Sequence, residues 1–380
     1  GGNPTQIQGT LNANGQILLS NSNAIVFGNT ASVNVGGLLA TSLGMQASGF
    51  MNGTYELDAG GNTVALVSNG GAMNAASGSV ILLGGAVVNQ GTITATTGNI
   101  QLVAADRATL TEEAGGFSAT VTGALGMALN STAISNTGTL SAPGGRITLQ
   151  ARAASGIFGQ LIANSGVITA AGSGPGTDGA VSFIASGASG QIAVADSGQV
   201  DVRNGTISFN TDGSVQQTGS YVAGVLAGSI GGDASFLGTN QIAAIGAMDV
   251  SGNLRLHNGR SVVQSGGLHV SGTTSIDAGT NAITLEDAGN DFGAAVSLTG
   301  SGIALKDAND LTIGALTLGS NTALTLSAAG TLTLPAGELD TGNANLSLHS
   351  GGALATAGTL SGAQLSLSGD LSHTALQEIR

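Results

Sequence analysis

Asn89–Ala105 reads NQGTITATTGNIQLVAA. Two short alternating pieces, Thr92-Ile-Thr-Ala and Asn99-Ile-Gln-Leu-Val, flank a break containing glycine. Relatives of this stretch recur as NTGTLSAPGGRITLQAR at Asn136–Arg152 and as NSGVITA…GAVSFIA between Asn164 and Ala185. Each begins with Asn-x-Gly, runs through a tiny strand, turns, and runs through another. Period-2 alternation marks a strand with one buried face. The same alternation recurs at Arg146-Ile-Thr-Leu, Thr206-Ile-Ser-Phe, Ala295-Val-Ser-Leu and Thr331-Leu-Thr-Leu. Between these pieces sit NG, GG, SG and DAG clusters, which tolerate left-handed backbone angles. Helical periodicity is almost nowhere.

Short strands in quasi-repeats predict a solenoid. Ile283-Thr-Leu-Glu-Asp-Ala-Gly-Asn-Asp291 is followed twenty positions on by Ile303-Ala-Leu-Lys-Asp-Ala-Asn-Asp310. That period is too short for a propeller blade and suits one coil of a parallel β-helix. At roughly 20–25 residues per coil, about 15–19 coils stacked ~4.8 Å apart are expected. In this reading Asn-x-Gly is a corner. Its Asn stacks on Asn of neighbouring coils and satisfies backbone groups there. The interior is narrow, so small residues fill it.

Composition agrees. The chain has 380 residues, 65 of them Gly, with 8% charged, 3% aromatic and 41% hydrophobic. Trp and Cys are absent. A chain this apolar is not disordered, and its core must be built from thin layers of Val, Ile, Leu and Ala. Without Cys there is no disulfide framework, thiolate metal site or Cys nucleophile. Net charge is −13, with Lys306 the single lysine beside seven arginines. Such a surface cannot neutralise a phosphate backbone, so no nucleic-acid partner is expected. The most apolar run, Val80–Val88, is far shorter than the roughly 20 residues of a spanning helix. No signal peptide is visible, and no strong cap stands at residues 370–380. The chain reads as a fragment of a longer polypeptide.

Candidate chemistry is sparse. The histidines His257, His269, His349 and His373 form no paired motif, and surface or turn roles are expected for them. No G-x-S-x-G elbow, H-E-x-x-H or P-loop occurs. A period of twenty would stack Asp287 over Asp307 and Glu286 over Lys306. An aspartate pair one coil apart makes Asp287 and Asp307 a candidate weak Ca²⁺ site. The plainer reading is that each Asp caps its own turn. Glu112-Glu113 is expected as a solvated acidic pair in a loop. Phe27, Phe117, Phe158, Phe183 and Phe292 are expected to fill the core or cover a coil edge. No cofactor is expected.

Gly9–Ser42, GTLNANGQILLSNSNAIVFGNTASVNVGGLLATS, resembles the secretion domain of two-partner secretion exoproteins, which include filamentous haemagglutinin and the high-molecular-weight adhesins. Leu11, Asn14, Gly15, Asn21, Asn23, Ile25, Phe27, Gly28, Gly36, Gly37, Leu38, Ala40 and Thr41 fit the family pattern. The family's Asn-Pro-Asn-Gly stands here as Asn21-Ser22-Asn23-Ala24, followed by Ile25. The resemblance continues over residues 89–185, and beyond about residue 235 the chain resembles haemagglutinin-type repeats. It implies an all-β, right-handed parallel β-helix with small extra-helical elements, Leu110–Asn130 among them. It also implies a division into residues 1–235, a secretion domain lacking its start, and 236–380, a β-helical shaft.

The function implied is that of a secreted, non-enzymatic adhesin or surface filament at the bacterial cell surface. It would be exported through an outer-membrane β-barrel partner and mediate attachment, cell–cell contact or biofilm formation. A host-cell, neighbouring-cell or polysaccharide receptor follows, with self-association a further expectation. The alternatives are a carbohydrate-active β-helix enzyme, a self-assembling matrix fibre and an autotransporter passenger.

Overall fold

The computed structural model describes residues 2–45, 55–60, 65–113, 116–128, 130–174, 176–356 and 358–371. Among them there is no helix; the chain is all-β, and nearly all strand pairing is parallel and in register. It forms two compact units, residues 1–223 and 224–380.

In the first unit, strands one coil apart pair in register. Val33, Met73, Ile93, Leu140, Ile168 and Val200 make one interior column. Leu38, Val80, Ile100, Ile147, Val181 and Ile207 make another. Ile25, Val67, Val87, Ile134, Ile162 and Val194 make the third. All these side chains are buried. This is a parallel β-helix, with the expected thin core of Val, Ile and Leu. The stacked aromatics Phe183 and Phe209, centroids 5.1 Å apart, thicken that core toward Tyr221.

The bare coil is twenty residues: Met73 aligns with Ile93. Longer steps carry insertions. Ile93 aligns with Leu140 only after the hairpin Arg107–Glu113/Gly116–Gly123 has left the helix. That hairpin joins Tyr55–Asp58 and Gly44–Met45 in a four-stranded antiparallel sheet. The expected extra-helical element at Leu110–Asn130 is therefore present, and it begins earlier, at Arg107. Glu112 and Glu113 are exposed as expected, but they end a hairpin strand rather than lie in a loop.

The antiparallel sheet covers the outer face of three coil strands. Gly37–Thr41 and Val80–Gly84 are buried at every position, and Ile100–Ala104 at all but Gln101. Leu39, Ile81, Leu83 and Val103 point outward and pack with Leu43, Leu57, Ala108 and Leu110. Tyr55 and Phe117 meet edge-on at the margin of this cluster, 5.4 Å apart. Gln101 closes the seam, accepting the Ala119 N–H at 2.8 Å and donating to Ser118 at 3.2 Å.

The second unit has coils of nearly constant length. Ile283, Ile303, Leu324 and Leu346 align in one interior column. Leu285, Leu305, Leu326 and Leu348 align in the next. Phe27, Phe158, Phe183 and Phe292 are buried, and Phe117 packs against the outer cluster, as expected.

Candidate secretion-motif turn and the polar ladder

Asn21, Ser22, Asn23 and Ala24 form the corner between the strands Gln16–Ser20 and Ile25–Phe27. The Ala24 N–H donates to the Asn21 carbonyl at 3.2 Å and closes the turn. Asn21 Oδ1 accepts the Asn23 N–H at 3.0 Å, an Asx turn inside it. The corner also ties three coils together. Asn21 donates its backbone N–H to Thr41 O at 3.0 Å, on the following coil. Its Nδ2 donates to Thr5 Oγ1 at 2.8 Å and Asn3 O at 3.1 Å, on the preceding one. Ile25 then enters the core fully buried.

Ala24 has φ = 142°, a conformation that L-residues rarely adopt. Glycine, which the resemblance puts at this position in the family, adopts such an angle without that penalty. Here an alanine holds that angle at a conformational cost.

The Asn-x-Gly corners do what the sequence reading expects, and more. Asn69 Nδ2 donates to Asn89 Oδ1 at 2.8 Å, Asn89 to Asn136 at 2.7 Å, and Asn136 to Asn164 at 2.7 Å. Asn164 then donates to Asp196 Oδ1 at 2.9 Å. All five side chains are buried. The Gly two positions on has its own reason. A Cβ on Gly91 would lie 2.0 Å from Gly71 O, one on Gly138 2.0 Å from Gly91 O, and one on Gly166 2.0 Å from Gly138 O. Successive coils approach too closely there for any side chain.

The ladder runs on to Asp196, whose other oxygen accepts the Tyr221 hydroxyl at 3.0 Å while Gly198 N–H reaches Oδ1 at 2.9 Å. Burial pushes the Asp196 carboxyl up to about 6, against the pull of hydrogen bonds from Asn164, Gly198 and Tyr221. This carboxylate was missed in the sequence because Asp196-Ser-Gly replaces Asn-x-Gly; the shared spacing to Gly was the available signal.

Asp287 and Asp307 lie in different settings. The offset of twenty holds from Ala282/Gly302 to Leu285/Leu305, where the pairing stops. Asp287 is exposed in a turn and accepts the Gly289 N–H at 2.8 Å. Asp307 is buried and accepts the Asn309 and Phe292 N–H groups at 2.9 and 3.2 Å. Burial raises its pKa, with the Asp291 and Asp310 charges adding to the effect. Each caps a backbone turn. Among the described residues no group of three or more His, Asp or Glu is placed to hold a metal ion.

His257, His269 and His349 are surface residues, each bonded to a side chain one coil away: Asp277, Asp249 and Ser368. His373 lies outside the described residues. Beside the hairpin, a groove of about 730 Å³ is lined by Gln101, Glu113, Arg146, Thr148, Gln150 and Asp178, among others. Asp178 is committed to the Gly172 N–H and to Asn204, which hold its carboxyl below the usual range.

Comparison with known proteins places the two units differently. Residues 231–299 match a family of repeats of unknown function (DUF5649). A 56-residue segment is 41% identical to a heme/hemopexin-binding protein of Haemophilus influenzae, covering 15% of this chain and 6% of that protein. The crystal structure of the HMW1 secretion domain from Haemophilus influenzae aligns over 97% of this chain and 84% of that one. Identity there is 18% and the TM-score 0.45. The fold rests on the strand register above, not on that likeness. Residues 1–175 match the family model of the TPS secretion domain. That match makes residues 1–175 a two-partner secretion domain.

Proposed function

We propose that this chain is a secreted, non-enzymatic adhesin or surface filament, exported through an outer-membrane β-barrel transporter and acting in attachment or cell–cell contact. The observation that carries the reading is the TPS secretion domain match over residues 1–175. It coincides with a β-helix that has a positive-φ corner at Ala24, at the motif position. Residues 1 to about 235 serve as the secretion domain, and the regular coils beyond it serve as shaft. What supports a non-enzymatic chain is that Asp287, Asp307 and Asp310, carboxylates a polysaccharide lyase would draw on, are engaged with backbone amides, and Asp291 with the Asn309 side chain.

The adhesin role is tested by deleting the gene for this chain from cells that keep the transporter. Attachment to host-cell monolayers and to sibling cells should fall and return on complementation. Attachment unchanged in both assays would contradict the role while leaving the secretion domain in place.

A further inference from the structure

We propose that Asp249, His269 and the Gly289 carbonyl form a pH-sensitive clip across three successive coils of the repeat region, closed while the His269 imidazole carries both protons. The register sets the three coils in order: Asp249 aligns with His269, and His269 with Asp291. His269 Nδ1 lies 2.7 Å from Asp249 Oδ1, on the coil before. Its Nε2 lies 2.8 Å from Gly289 O, on the coil after. Both partners are acceptors. A neutral imidazole has one N–H and one lone pair, so it satisfies one of these contacts and opposes the other. Only the imidazolium donates to both.

The charges around the ring favour that form. Asp249 faces it from the preceding coil and Asp291 from the following one, and Asp287 sits in the turn that carries Gly289. The Asp249 hydrogen bond, with the Gly289 carbonyl and the two carboxylate charges behind it, outweighs desolvation and raises the His269 pKa. A raised pKa fixes the sign. The clip is fully closed below the ordinary histidine value and is lost as pH rises through the folded one. When it opens, the turn Asp287–Asp291 loses the His269 bond to the coil below and keeps those made by Gln264 and Leu268. All these residues fall within the repeat match at 231–299. Acidity thus tightens these coils, and alkalinity loosens them.

The 380-residue chain has four histidines, so labelling histidine with ¹⁵N gives a simple long-range NMR spectrum, assigned with His269→Gln. Both ring nitrogens of His269 should read as protonated at about pH 5.5, with a midpoint above the ordinary ~6.5. In Asp249→Asn that midpoint should fall back toward the ordinary value. Amide exchange at residues 287–291, corrected for intrinsic rates, should quicken roughly two- to fivefold as pH passes the midpoint, the scale of an exposed ion pair. A neutral His269 tautomer at that pH, a midpoint that ignores Asp249→Asn, or exchange that ignores the midpoint would each overturn the clip.

Discussion

Two residues hold unfavourable states that their neighbours enforce. Ala24 sits at φ = 142° in the corner that Asn21 ties to the coils on either side. Ala24→Gly should stabilise the first unit by about 1 kcal/mol, the loss of backbone strain outweighing the greater freedom of unfolded glycine. Thermal unfolding of the variant checks this. Asp196 is a buried carboxylate in a ladder of amides. Its pKa, raised to about 6, means that stability is fully present below the ordinary carboxylate value near 4. That stability is lost as pH rises through about 6. The swing is about 3 kcal/mol, from a shift of about two units at ~1.4 kcal/mol each. Asp196→Asn extends the ladder without a charge, since its Oδ1 keeps the Asn164 and Gly198 donors and its Nδ2 meets the Tyr221 oxygen. It should gain about 1–3 kcal/mol at neutral pH and flatten the pH dependence of denaturant unfolding. At this scale the sequence is least legible. Gly two positions after Asp196 marks the corner, but only the packed coil reveals that the carboxylate is buried.

Coils, corners and the antiparallel sheet differ in how plainly the sequence shows them. Alternating strands announce themselves because one face is wet, as at Thr92–Ala95, where Ile93 and Ala95 are buried. Asn-x-Gly announces the corners because two constraints coincide: an amide that can donate and accept along the stack, and a glycine pressed against the coil below. Gly138→Ala tests the second. Its Cβ would meet Gly91 O at 2.0 Å and the Gln90 carbonyl carbon at 2.7 Å. Backbone on both sides must move, so a loss of about 1–3 kcal/mol is expected by chemical denaturation. Continuous apolar runs carry the signal the alternation misses. VILLG at Val80–Gly84 is buried on both faces because the Arg107–Gly123 hairpin and its partners lie over Ile81 and Leu83. Read as a strand, the run identifies a second covering layer. It does not say which segment supplies that layer, since the covering strands come from two separate insertions. The offset of twenty in the second unit is legible from Ile283/Ile303, and it fails at Asp287 because the strand ends first.

For the molecule as a whole, the contacts along each unit run from one coil to the next, so a chain delivered gradually can add coils to an existing edge. With no cysteine, nothing in the sequence can be trapped by oxidation on the way. These properties fit the export through a dedicated outer-membrane transporter proposed from the TPS secretion domain match. Fold class and secretion domain were both open to reading, from the Asn-x-Gly corners and from Gly9–Ser42. The receptor leaves no such trace, because recognition rests on surface groups that neither periodicity nor ladder geometry constrains. The most direct measurement is the amount of this chain outside the cell, by immunoblot of surface and medium fractions, with its transporter present and deleted. The account predicts abundant external chain that disappears on deletion and returns when the transporter is restored. External chain at the same level without the transporter would contradict it.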